Sequence, residues 1–465
     1  MRRSHKFKKN KKTSVAKIIC CVIVLSFLYF IYSSFYSNNS HVLDISSEVS
    51  GIKLDVKEIS SPDNNIKAYL LEDITNPIIS ISFMFKNGGY ANDDADKQGL
   101  ALMVASLLGE GGGEFDSQQL KEELDIRAIR ISFDINKDSF EGKLLTTKEN
   151  FVDAINFLKL MLTQPRFDTE DIERTKNLML EALKRQKEYP ANELQLEFAK
   201  ELYGDHPYAR NPLGNAEHIS KITKTDLQHF AGNVFNQKDL LVGIAGDIDA
   251  KHAGETLDMV FGSLPKSGNT NFVRDVNIKF DGRSKHIDRN AAQNIWIAAQ
   301  AGVDRNHQDF YPLFVANHIL GGSGLNSKLS QEIREKNGLT YGIYSYLNLD
   351  DKAPLIITSF SATKDNAIKA VNLWKEQLNR IQNDGISKDD LKKAKNYLIA
   401  SYNLRFASIS TIAEILTAMQ KYNLGLDFLQ KRNENVANIT FDEVNNAIQK
   451  YFDPEKVIKA EIGTF

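Results

Sequence analysis

The sequence predicts an α+β protein built from two similar halves, each an antiparallel sheet with helices packed on it. Three observations carry this. The chain has 465 residues, too long for one ordinary core and suited to two domains of roughly 200 residues. The order strand, helix, glycine turn, strands, helix, helix occurs twice. In each half the strands come as a run with helices segregated after them, a pattern of α+β rather than alternating folds.

The elements follow in order. The apolar run IISISFMF (78–85) is a strand. After an acidic turn, Asn92 to Asp96, GLALMVASLL (99–108) reads as the start of a buried helix, followed by Gly109, Gly111, Gly112 and Gly113. ENFVDAINFLKLMLT (149–163) has the apolar spacing of an amphipathic helix. FDTEDIERTKN (167–177) opens the next one, with Thr169 as N-cap and an acidic first turn. The second half repeats this. NIWIAAQ (294–300) is a strand, VDRNHQD (303–309) a turn and FYPLFVANHIL (310–320) a helix ending at Gly321, Gly322 and Gly324. DNAIKAVNLWKEQLNRI (365–381) is amphipathic, and ISKDDLKKAKN (386–396) lies 219 residues after its first-half counterpart, with Ser387 as N-cap. Turn residues in SLPKSGNTN place a linker over 265–284 between a first domain, 45–264, and a second, 285–465.

Charge is uneven. The net of −2 combines a basic N-terminus with an acidic body: residues 1–40 hold eight Lys/Arg and no Asp/Glu, leaving 50 basic against 60 acidic residues. An acidic body argues against nucleic acid as a partner, because affinity there comes from neutralising phosphates. Both cysteines, Cys20 and Cys21, fall in the N-terminal apolar run, so the body forms no disulfide. Residues 18–36 carry no charge and are long enough for a ~30 Å hydrocarbon layer. With residues 1–17 basic, the expectation is a single-pass transmembrane helix in the inner (cytoplasmic) membrane with the body on the periplasmic side. The alternative is a signal segment, cleaved to release a periplasmic protein, although residues 33–37 offer no clean small-x-small site.

Four stretches make the chain resemble the pitrilysin (insulinase) family of zinc metallopeptidases, in the half-length form of mitochondrial processing peptidase subunits. They are the strand–turn–helix of 78–108, HPYARNPLGNAEHISKITKTDLQHF (206–230), LLVGIAGDID (240–249) and GGSGLNSKLSQEIREKNGLTYGIYSY (321–346). The resemblance covers residues 50–465 and implies two homologous domains facing each other around a chamber for a peptide or small-protein substrate. The family's zinc motif is H-x-x-E-H on a helix, where the histidines share Zn²⁺ and the Glu is general base. In register, this chain has Leu102, Ala105 and Ser106 at the three positions, so the motif is lost. The family's distal Glu ligand falls near Glu181, read here as a helix-face charge. No two histidines are four apart, and His252 with Glu255 lacks a third ligand.

The resemblance also places Arg334 and Tyr341 where the family's Arg–Tyr pair holds the substrate backbone and stabilises the oxyanion. Gly321, Gly322, Ser323 and Gly324 correspond to its substrate-approaching loop, though glycine after Leu320 equally reads as a helix C-cap. His206-Pro207-Tyr208 fixes a loop by packing. The resulting expectation is a metal-free, non-catalytic subunit that lends Arg334 and Tyr341 in trans to a homologous zinc-bearing partner. The alternatives are a non-enzymatic peptide-binding or scaffold protein, and a self-contained zinc metalloendopeptidase whose ligands the sequence does not supply.

Overall fold

Strand β3, Ile78–Lys86, has seven buried residues in succession, so both its faces are covered. In the computed structural model, which describes residues 54–322 and 324–464, it lies inside a six-stranded sheet. With β1 (Val56–Ser60), β2 (Lys67–Glu72), β6 (Arg130–Ile135), β7 (Ser139–Thr147) and β8 (Leu240–Gly246), the order is β1-β2-β8-β3-β7-β6; β4 (Gly111–Gly112) and β5 (Phe115–Asp116) form a separate small hairpin. The second sheet comprises β9 (Ser284–Asp288), β10 (Asn294–Ala301), β11 (Ile343–Asp350), β12 (Ala353–Ala362) and β13 (Ile458–Gly463), in the order β11-β12-β10-β13-β9.

Neither sheet is purely antiparallel, contrary to the sequence expectation. β2 runs parallel to β8, and β9 parallel to β13. Each parallel pair joins an early strand of a half, β2 or β9, to its last, and the intervening strands and helices make the long crossover that parallel pairing needs. Repeat symmetry therefore includes the parallel strand: β2, β8, β3, β7 and β6 match β9, β13, β10, β12 and β11, and β1 has no counterpart.

The helices follow the sequence closely. In the first half they are α1 (Leu100–Leu107), α2 (Ser117–Ile126), α3 (Phe151–Thr163), α4 (Thr169–Gln186), α5 (Pro190–Tyr203), α6 (Ala216–Lys221), α7 (Lys224–Val234) and α8 (Ala250–Phe261). In the second they are α9 (Phe310–Asn317), α10 (Lys364–Asp384), α11 (Lys388–Asn403), α12 (Ile409–Lys421), α13 (Phe428–Asn438) and α14 (Phe441–Tyr451). Ser387 caps α11 with a full capping box to Asp390, as read from the sequence. The cap of α4 is one residue earlier than expected, at Asp168. The helix expected over 310–320 stops at Asn317 and continues as a π-turn, His318–Gly322. Residues 265–283 contain no helix or strand, yet Val273 is buried and Val276, Ile278 and Phe280 pack on the second sheet's core. The expected membrane segment, 18–36, lies outside the described residues; among those described, no helix is long and apolar enough to cross a membrane.

Residues 50–465 form one unit because the halves exchange helices. On α5, Leu194, Phe198 and Leu202 cover Leu355, Ile357, Ile458 and Ala460 of the second sheet. On α12, Ile412, Ala413, Leu416 and Met419 cover Val56, Leu71 and Ala245 of the first. The 219-residue offset that relates α4 to α11 also takes Pro190 to Ile409, so these helices are repeat equivalents. Polar bonds fix the register of α12: Thr417 Oγ1 donates to Ser82 O (3.0 Å) and Gln420 Nε2 to Val242 O (2.6 Å). The halves are also locked where their hairpin turns meet. The fully buried Tyr208 donates its hydroxyl to Asp138 and accepts from Lys352 N (3.0 Å), while Asp351 N donates to Asp138 (3.1 Å).

The contact between α12 and β8 is close enough to require glycine. A Cβ on Gly243 would lie 2.3 Å from Ala413 O. Gly243→Ala is therefore expected to lower stability by about 1–3 kcal/mol, the usual range for overpacking. Gly232, on α7 with open space around it, is the control: Gly232→Ala is expected to raise stability by ~0.5–1 kcal/mol. Denaturant melts of the two variants check this; equal stability of Gly243→Ala and wild type would show that α12 is not held there.

Candidate functional site

Helix α1 is where the sequence comparison with zinc peptidases breaks down. Met103, Val104 and Leu107 anchor it in the first-half core. Leu102 packs partly buried against that core, Ala105 is buried, and Ser106 is exposed with its hydroxyl bonded back to Leu102 O (2.9 Å). The one oxygen at the three motif positions is thus already used within the helix. Glu181 is exposed on α4, where its hydrogen bond and ion pair with Lys184 (2.6 Å) hold its carboxyl below the ordinary range. His252 pairs with the helix-capping Asp249 (2.8 Å). Among the described residues no group of three or more His, Cys, Asp or Glu is arranged to hold a metal ion.

The start of α1 is set by Asp93, which the sequence reading noted only as part of an acidic turn. Gly99, at φ +99°, turns the chain into the helix. The Asp93 carboxylate accepts from Gly99 N (2.8 Å) and Ala101 N (3.0 Å), and Arg210 donates to the Asp93 backbone carbonyl (2.6 Å). Burial pushes Asp93 up to about 7, against the pull of the two backbone donors and of Arg210.

The Arg–Tyr pair lies in the second half. Arg334 is on a π-helical segment, Ser330–Lys336, that ends at a left-handed turn at Gly338. Its guanidinium carbon sits 5.5 Å from the Tyr341 ring centroid, and its Nε is 3.4 Å from Glu335. Tyr341 is 89% exposed. The structure therefore brings together two of the residues singled out in the sequence and leaves the Tyr ring facing solvent.

The glycines of the 321–324 loop do different jobs. Gly321 packs on β11, where a Cβ would meet Ser345 Cβ at 2.7 Å. Asn317 fastens the same turn, donating to Ser345 O (3.0 Å) and accepting from Ser345 Oγ (2.5 Å). Gly322 lies beside the Asn317 carbonyl, and Gly324 takes φ +47° with nothing around the place of its missing Cβ. Ser323 lies outside the described residues. Next to this loop, His318 stacks on Tyr397 (5.1 Å), and burial lowers its pKa to about 4, so it is neutral at physiological pH.

Comparison with known proteins agrees with this geometry. Residues 221–398 match the family described as "Peptidase M16 inactive domain". Over this stretch the chain is similar to the M16 peptidases. A "Non-peptidase homolog YmxG" of Helicobacter pylori is 28% identical over 81% of this chain and 86% of its own. The "Uncharacterized zinc protease YmxG" of Bacillus subtilis is 21% identical over 70% of this chain and 78% of its own. Among solved structures, a peptidase M16 inactive domain from Pseudomonas fluorescens has a TM-score of 0.83 at 25% identity, covering 89% of this chain and 98% of that one. The pitrilysin-type resemblance drawn from the sequence is borne out.

Two outcomes follow. The purified chain is expected to carry far less than one equivalent of zinc by elemental analysis; stoichiometric zinc that resists mild chelation would overturn the reading of α1. The second concerns pH. The folded state holds the Asp93 proton more tightly than the unfolded chain, whose pKa is about 4, so ionisation weakens the fold as pH rises from about 4 to 7. Asp93→Asn keeps an acceptor oxygen and cannot ionise. Between about pH 5 and 8, urea midpoints are expected to show wild type losing stability relative to Asp93→Asn; an opposite trend would refute the shift.

Proposed function

We propose that this chain is the metal-free subunit of a two-chain M16-type peptidase. A homologous partner supplies zinc and the general base. This chain supplies half of a substrate chamber, together with Arg334 and Tyr341 for the partner's substrate. The observation that carries the proposal is the Tyr341 side chain: it is 89% exposed, braced by a guanidinium, and buried in no core. An aromatic ring held in water contributes little to this chain's own stability, whereas its hydroxyl can donate to a developing oxyanion and the Arg fork can hold a peptide carbonyl. Unfolded peptides or small proteins are the substrate class. Residues 18–36 tether the complex to the inner membrane with the body on the periplasmic side.

A second reading has a specific observation behind it. The Helicobacter pylori relative is named a non-peptidase homolog, which favours a peptide-binding or scaffold protein of the same fold. The two are separated by reconstitution with a zinc-bearing homologous chain. Losing one preorganised oxyanion donor lowers kcat about 10²–10³-fold. Tyr341→Phe is expected to do so with assembly intact by size exclusion, and Arg334→Lys to reduce turnover as well. Full activity from the double variant in an assembled complex would favour the scaffold.

A further inference from the structure

A cavity of about 290 Å³ lies among α9, α11, α12 and α13, close to the lower limit of ~300–1,000 Å³ usual for small-ligand sites. Its charge is one-sided. Arg305, Arg405 and Arg432 line it, and no Asp or Glu does. Arg432 is only 7% exposed, and its donors go to neutral oxygens, Leu398 O (2.7 Å) and Asn433 Oδ1 (2.9 Å). Arg305 is half-buried and donates to Tyr311 Oη (3.2 Å). Arg405 stands at the solvent edge. Among the described residues none of the three is in an ion pair. The carboxylates whose field reaches the Tyr422 edge, Asp351 and Asp350, are already paired with Lys421 (2.9 Å) and Lys137 (2.8 Å).

Aromatic faces offset part of this charge. The Arg305 guanidinium lies 4.0 Å from the Phe310 ring centroid and 5.3 Å from Phe428; that of Arg432 lies 4.3 Å from Tyr402. Such contacts are each modest in strength. Removing a guanidinium from water costs several kcal/mol. The balance leaves the cavity positive. Consistent with this, burial pulls the Arg432 pKa down, and the charges of Arg405 and Arg305 add to the effect. A second, independent sign is Tyr402: the residue is 8% exposed and its hydroxyl has no hydrogen-bond partner. A buried Tyr hydroxyl usually finds one, and leaving it unpaired is costly.

We propose that this cavity binds a small organic carboxylate, its head among the three guanidiniums and the Tyr402 hydroxyl, its apolar body against Phe314, Ile415 and Met419. The apolar walls favour this over a bare oxyanion, which would leave those walls facing water. The planar fork of Arg matches a carboxylate bidentately. The site is independent of Arg334 and Tyr341, so it stands or falls separately from the peptidase reading.

The test is calorimetric titration of the full chain with phenylacetate, uncharged phenylacetamide and inorganic phosphate. Phenylacetate is expected to bind at least about tenfold tighter than either, the scale of one charged hydrogen bond. Arg305→Ala with Arg405→Ala is expected to weaken it tenfold or more with circular dichroism unchanged. Should that pair fail to fold, Tyr402→Phe keeps the packing and removes only the hydroxyl, for an expected loss of about two- to tenfold. Phenylacetamide binding as well as phenylacetate, phosphate binding as tightly, or affinity indifferent to these substitutions would overturn the proposal.

Discussion

A sheet with two apolar faces must cover both, and each half of this chain has helices of its own for only part of that task. The exchange of α5 and α12 supplies the missing cover. Leu194, Phe198 and Leu202 of α5 and Ile412, Leu416 and Met419 of α12, buried in the other half, contribute on the order of 1.5–3 kcal/mol apiece, more than any surface ion pair between the halves could. The Tyr208–Asp138 lock and the Thr417 and Gln420 bonds then select one arrangement among many that such greasy contact would allow. The rest of the molecule hangs on this interlock, including the cavity beside α12.

The same constraint explains how the fold persists with Leu102, Ala105 and Ser106 at the motif positions. Met103, Val104 and Leu107 hold α1 in the core, and Asp93 with Gly99 holds its start. Of the motif positions, Ala105 sits in that core, Leu102 packs partly against it, and only Ser106 is exposed, its hydroxyl bonded back to Leu102 O. Apolar residues at two of the motif positions thus add to the packing that holds the helix, so the fold persists without the ligands.

Much of this was legible in the sequence because it is written at short range. Helix periodicity, the Ser387 cap, the 219-residue repeat and the missing H-x-x-E-H are all patterns within a few residues or a fixed offset. The parallel strands β2 and β9 were not legible, since their partners lie far off in sequence and five- or six-residue strands carry little pattern. The helix expected to reach Leu320 gave way at Asn317 because its side chain bonds to Ser345 and Gly321 must sit against β11. The pocket arginines, 305, 405 and 432, come from three separate elements, and only the fold reveals that they share a wall. Asp93 was visible as one acid among several; its burial was not.

The reach of α12 has a temporal consequence. Thr417 bonds to Ser82, 335 residues earlier in the chain. The first sheet is complete once β8 ends at Gly246, and α12 ends at Lys421, so at roughly 5–20 residues per second of synthesis the sheet waits on the order of 10–35 seconds for the helix that covers its second face. During that interval Leu71, Ala245 and their neighbours are exposed on a nascent polypeptide. Loop closure over such a span is slow and adds entropy cost only logarithmically, so delay rather than final stability is the hazard. A chain built this way has reason to depend on holding factors until its last hundred residues have been made.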